Sequence, residues 1–254
     1  ADKDDSTQFS AFAKVNSSKC EPVVMDEQFN SAVTDIFRNE YLSPRSPYTT
    51  LQIPKQGIGE WCHPLHTVDI DDYGLRSSVQ KGVVNTKLGV PFRTPAEGQN
   101  IAFTSLWDNY PDSLTVSLKG KASRAYLLMA GSTNHMQCHI DNGLIRVYYK
   151  DGTCDKMALR NPDNWAPIEH IFFEDGMAFN RHAPALYRLR LKTGEVSNNF
   201  GEELGFPGAS RELDGGAAIL LEMPLNPDKK LSHLVLETLS NDVVIGLMGI
   251  TLQR

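Results

Sequence analysis

The chain lacks any apolar run long enough to cross a bilayer as a helix. Its greasiest stretch, Val243 to Leu252, is cut by Gly246 and Gly249 and falls well short of the roughly 18 residues a span requires. Positive charge is also lacking. The 25 Lys and Arg against 31 Asp and Glu leave a net −6, so no chain-wide field attracts a phosphate backbone, and nucleic acid is not an expected partner. Cysteine is sparse and irregular. Cys20, Cys62, Cys138 and Cys154 in 254 residues read as thiols rather than as a disulfide framework. There is no G-x-S-x-G elbow, no P-loop, no Gly-rich dinucleotide fingerprint and no repeat at a solenoid period, so the acyl-transfer and nucleotide-cofactor classes lose support. No cofactor is expected. A start at Ala1 with no apolar h-region is compatible with export after signal cleavage.

What the sequence does hold, 41% hydrophobic and 22% charged residues, is the composition of a folded globular body. Residues 1–24 are polar and weakly periodic and read as a flexible leader. Asp26 then caps an expected helix whose apolar Phe29, Val33, Ile36, Phe37 and Tyr41 recur at helical spacing, ending before Ser43-Pro44. From Thr49 the pattern turns to short β-rich runs separated by Gly, Pro, Asn and Asp. Eleven candidate strands follow: Gly82 to Val84, Asn100 to Thr104, Leu114 to Leu118, Ala125 to Met129, Met136 to Ile140, Leu144 to Lys150, Cys154 to Leu159, Leu186 to Leu191, Ala217 to Met223, Leu231 to Leu239 and Val243 to Leu252. The expected fold is therefore mainly β, a β-sandwich over 81–254, with a short N-terminal helical and loop segment over 25–80 packed on it. Asn142-Gly143 and Asp151-Gly152 are favoured hairpin turns. They set Cys138 opposite Val147 and Cys154 opposite Tyr149, too far apart for a disulfide. Residues 193–216, with six glycines, read as a long loop, a type that often carries function.

Two loops mix aromatics with amides and carboxylates: Trp107-Asp108-Asn109-Tyr110-Pro111-Asp112 and Asn161-Pro162-Asp163-Asn164-Trp165. Sugar sites use this mixture, because an aromatic face covers the C–H side of a pyranose while polar groups bond its hydroxyls. Trp107, Asp108, Asn109, Tyr110 and Trp165 are the candidate carbohydrate contacts, with core packing of the rings as the bland alternative. For hydrolysis, a pair of carboxyls must flank a substrate. The candidates are Glu60, set among glycines beside Trp61, together with Asp69, Asp71 or Asp108; Glu169 belongs to the wider pool. No metal site is expected. His63, His66, Asp69, Asp71 and Asp72 are scattered in direction by Pro64 and by alternation, which favours a solvated acidic turn, and strand alternation separates His135 and His139 from Cys138. Structural calcium would come from loop carbonyls that leave no residue signature.

The runs YLSPRSPYTTLQIPKQGIGEWCHP, GVPFRTPAEGQNIAFTSLWDNYPDSLTVSLKGKASRAYLLMAGSTN and LRNPDNWAPIEHIFFEDGMAF make residues 26–254 resemble a family of Bacteroidetes proteins. In that family similar segments form the C-terminal part of large exported proteins linked to glycoside hydrolysis. The strand-rich half resembles galactose-binding-like jelly rolls and carbohydrate-binding modules attached to glycosidases. The resemblance implies a carbohydrate-recognition or accessory module serving polysaccharide utilisation in the periplasm or at the cell surface, with a polysaccharide or oligosaccharide as partner. The chain is too short for the all-helical barrel and large sandwich such glycosidases use, so the resemblance assigns no catalytic residue. A glycoside hydrolase or lyase and a protein-protein scaffold are the alternatives.

Overall fold

The computed structural model describes residues 12, 14–38, 69–106, 109–133, 137–171, 180–203 and 212–254. Among these, the chain is mainly β. The strands are β1 (Cys20–Pro22), β2 (Val83–Asn85), β3 (Pro91–Arg93), β4 (Ala102–Ser105), β5 (Ser113–Ser117), β6 (Arg124–Thr133), β7 (Asp141–Tyr149), β8 (Cys154–Arg160), β9 (Tyr187–Arg190), β10 (Val196–Ser197), β11 (Ala217–Pro224), β12 (Leu231–Thr238) and β13 (Val243–Gln253). Two short helices, α1 (Tyr73–Ser77) and α2 (Phe200–Glu203), complete the described elements above the 3-10 level.

A seven-stranded sheet runs β1-β13-β6-β11-β9-β10, with β4 also paired to β13. A four-stranded sheet runs β5-β12-β7-β8, and β2 and β3 form a separate pair. Every named strand pairing is antiparallel. The arrangement is consistent with a β-sandwich. Alternate side chains of the larger sheet enter two different cores. Ala125, Leu127 and Met129 of β6 join Val116, Ile145, Val147, Leu234 and Leu236 of the smaller sheet. Tyr126, Leu128 and Ala130 instead face Val33, Ile36, Leu75, Val84 and Phe92 of the segments preceding β4. The larger sheet is thus covered on both sides, and all eleven residues of β13 are buried. A bulge between Leu247 and Gly249 keeps this sorting in register: Leu247, Ile250 and Leu252 all reach the inter-sheet core although the first two are an odd three positions apart.

Several expectations are corrected. In place of a helix from Asp26, two 3-10 turns form, Asp26–Gln28 and Val33–Asp35. Between them the N–H groups of Asn30 and Ser31 donate to the Ile101 carbonyl at 3.0 and 3.2 Å. The Asn30 side chain brackets the Phe103 backbone, accepting its N–H at 2.9 Å and donating to its carbonyl at 3.0 Å. These bonds pin the segment along β4 and leave no room for continuous i→i−4 bonding, yet Phe29, Val33 and Ile36 are buried as their periodicity requires. Tyr41 lies outside the described residues. The C-terminal end of the expected flexible leader is structured: Cys20–Pro22 pairs with Thr251–Gln253, and Glu21 takes the Arg254 guanidinium at 2.8 Å.

Asn142 and Gly143 do not form a hairpin turn; both lie within β7. Asn142 is buried and donates through Nδ2 to the Gln137 and Ile140 carbonyls, and a Cβ at Gly143 would strike the Ile245 side chain. Glycine is needed there for close approach, not for a turn. Val147 therefore faces Asp155 and Leu234 rather than Cys138. The Asp151-Gly152 hairpin is present, with Gly152 at φ 85°, but it places Cys154 opposite Tyr148, one residue from the expected register. A Tyr149 N–H to Thr153 carbonyl bond closes a loop of three residues rather than two. Cys138 and Cys154 are not joined to each other. The 193–216 stretch holds β10 and α2 before it leaves the described residues.

Candidate functional site

Among the described residues, those singled out by sequence do not form one surface. Glu60, Trp107 and Asp108 lie outside the described residues, as do Cys62, His63, His66 and His135. Tyr110 is only 7% exposed, its ring tilted against Phe103 at 5.1 Å on the far side of the large sheet. Trp165 is 0% exposed and lies between the two sheets, its Nε1–H donating to Thr133 Oγ1. Its ring packs where the missing Cβ of Gly131 would stand, the nearest ring atom 2.6 Å from that point. Neither ring offers a face to a sugar, and they occupy different cores. Asn109 is half-buried.

Within the acidic turn Asp72 is a latch, while Asp69 stays solvated. Asp69 is exposed, and Asp71 accepts the Tyr73 N–H at 3.0 Å. Asp72 is buried and takes both Arg76 Nε and Asn100 Nδ2 at 2.8 Å, while Asn100 Oδ1 accepts the Val33 N–H at 2.9 Å. These bonds fasten α1 and the N-terminal turns to the start of β4. Glu169 is likewise structural. It is buried beside Arg188, whose guanidinium donates to the Pro167, His170 and Ala217 carbonyls at 2.9, 2.6 and 2.8 Å. Burial pushes the Glu169 carboxyl up to about 7, against the opposing pull of Arg188, and burial lowers Arg188 to about 10.

The polar convergence lies elsewhere, at the rim where the start of β7, the end of β8 and the approach to β9 meet. After β8 the chain turns at Asn161 to Trp165, stapled by Asn164. Its Oδ1 accepts the Arg160 N–H at 2.7 Å and its Nδ2 donates to the Ala158 carbonyl at 2.8 Å. That turn aims Asp163 inward, 4% exposed. One carboxylate oxygen accepts the backbone N–H of His182 at 2.6 Å, and the other stands 3.6 Å from His139 Nδ1. His139 is held at φ 55°, with its N–H donating to the Asn161 carbonyl at 2.8 Å. A left-handed non-glycine residue is uncommon, though histidine is among the types that adopt it more often. The His139 and His182 rings stack with centroids 4.6 Å apart. One donor atom from each of His139, Asp163 and His182 falls within 4.8 Å of the others. The alternation argument that separated His139 from Cys138 fails because 137–140 is not a strand. His182, 43 residues from His139 in the chain, carries no local spacing signal.

Beside this cluster is a cavity of about 100 Å³ that shares Asp163 and is walled by Phe12, Pro184, Tyr187, Asn198 and Glu222. Phe12 stacks on Tyr126 at 5.7 Å and meets Tyr187 edge-on at 5.3 Å. Glu222 is paired with Arg124 at 2.7 Å. The cavity thus combines aromatic and apolar walls with an amide and two carboxylates that already hold partners.

No family model matches the chain, and no curated protein matches it either. No helix among the described residues is long and apolar enough to cross a membrane.

Proposed function

We propose that the chain is an exported carbohydrate-recognition or accessory module of galactose-binding-like jelly-roll type, serving polysaccharide utilisation in the periplasm or at the cell surface. The supporting observation is the lining of the rim cavity, in which Tyr187, Phe12 and Pro184 supply apolar surface beside Asn198, Asp163 and Glu222. Sugars are held by this combination, with C–H faces on aromatic or apolar walls and hydroxyls on amides and carboxylates. Binding without hydrolysis fits the carboxylates better than acid-base work. Asp163 is committed to His182 and Glu222 to Arg124, so neither stands ready to exchange a proton with a substrate.

The test is a titration of the whole chain against a panel of neutral mono- and oligosaccharides, with reducing-sugar release followed in the same samples. Saturable binding without release is expected, weakened at least about tenfold by Tyr187→Ala or Asn198→Ala. A Val235→Thr variant on the half-buried face of β12 serves as control. Unchanged affinity in both cavity variants, or no binding to any glycan, would reject the reading; sugar release would replace it with a glycoside hydrolase.

A further inference from the structure

We infer that His139, Asp163 and His182 form a binding site for a divalent transition metal of the zinc class. The inference is independent of the glycan reading. Two imidazoles and one carboxylate are a donor set that zinc and its neighbours favour, with further positions left to water or ligand. Donors about 2.1 Å from a tetrahedral ion lie roughly 3.4 Å apart. The three present here are within 4.8 Å of one another, so closure shortens no separation by more than about 1.4 Å. His182 is exposed and lies outside any strand, which leaves its ring free to make that movement.

A second observation at the same place points to a polar guest. Buried polar atoms nearly always have hydrogen-bond partners. Here His139 Nε2, Gln137 Oε1, Asn142 Oδ1 and both amide atoms of Asn161 are buried without one. Asn161 is 0% exposed, and its backbone carbonyl is the group that holds His139. His139 Nε2 belongs to one of the three donors itself, and Asn161 is joined to that residue through its carbonyl, so an ion and its attendant water would supply partners where the donors meet. Because Asp163 and the chain from Ala183 to Tyr187 also wall the cavity, a bound ion would fix two sides of that cavity against each other.

The experiment uses the whole chain, stripped with chelator and titrated with zinc chloride by calorimetry, with cobalt(II) absorption as the spectroscopic probe. One zinc per chain and a raised melting temperature are expected, with cobalt bands typical of nitrogen and oxygen ligands. Asp163→Asn also disturbs the bond to the His182 N–H, so His182→Ala is the deciding variant: it keeps that backbone bond and should weaken zinc at least about tenfold. His233→Ala, whose ring stacks on Tyr148 at 4.7 Å in the four-stranded sheet, should bind zinc as the parent does. Absence of saturable zinc binding would overturn the inference. So would a folded His182→Ala protein, checked by circular dichroism, that binds zinc with parental affinity, since the ion would then sit elsewhere.

Discussion

β12 and β13 are consecutive in the chain, yet they sit in different surroundings. β13 is buried at every position, because one side chain enters the inter-sheet core and the next enters the core beneath the N-terminal turns. β12 alternates: Leu234, Leu236 and Thr238 are buried, while His233, Val235 and Glu237 are only half-covered. The difference lies in what covers each sheet. The segments around Val33, Leu75 and Phe92 form a lid over the seven-stranded sheet, whereas nothing among the described residues covers the outer face of the four-stranded one. A sheet with two covered faces is a frame, and the polar convergence lies instead at the rim where the start of β7 and the end of β8, from the smaller sheet, meet the approach to β9 of the larger, and where Asp163, His139 and His182 gather.

The sharpest way to break this comparison is to truncate both parities of each sheet. Leu128→Ala and Met129→Ala face opposite cores of β6, and each should cost about 2–5 kcal/mol in urea unfolding. In β12 only one parity should be that sensitive: Leu234→Ala should fall in the same range, and Val235→Ala should cost less than about 1 kcal/mol. Equal sensitivity of Val235 would mean that the outer face is covered. A smaller effect comes from pH. Glu169 is pushed up to about 7 by burial against an ordinary value of 4.5, so between those values the folded chain holds a proton that the unfolded chain has released. Its contribution is complete below about pH 4.5 and is lost as pH rises through 7, roughly 3 kcal/mol in all. Glu169→Gln should flatten stability over that window, and an unchanged slope would place the cause elsewhere. On the four-stranded sheet Asp151 carries the opposite sign, its exposed carboxyl held low first by the Thr153 hydroxyl and then by Lys229. The smallest effect belongs to Arg146 and Glu237, paired at 2.7 Å across β7 and β12. A double-mutant cycle there should give less than about 1 kcal/mol and fade with salt.

The alternating strands were the most legible part of the sequence. Leu234, Leu236, Ile145 and Val147 are buried while their neighbours His233, Val235, Glu237, Arg146 and Tyr148 are half-covered, because one face of their sheet is wet. Fully covered β13 could be read as a strand from its β-branched run, but its two destinations could not, since its lid comes from residues about 150 to 210 positions earlier. Asn142-Gly143 misled because it has the chemistry of a turn while its actual constraint is tertiary, the Ile245 side chain against Gly143. Phe29, Val33 and Ile36 marked burial correctly and helix wrongly, since periodicity records which side chains go inside and not how the backbone satisfies its bonds. The rim cluster was the least legible. His139, Asp163 and His182 are 24 and 19 residues apart, and long-range bonds such as that from the His139 N–H to the Asn161 carbonyl and from the His182 N–H to Asp163 bring them together.

Native-state hydrogen exchange resolved by strand tests the covered-frame account most directly. β6 and β13 should exchange only through global unfolding, with β5 and β8 at the edges of the four-stranded sheet opening at distinctly lower free energy. Exchange of β13 at the rate of β5 would contradict the account, because a sheet that opens so readily cannot be buried on both faces.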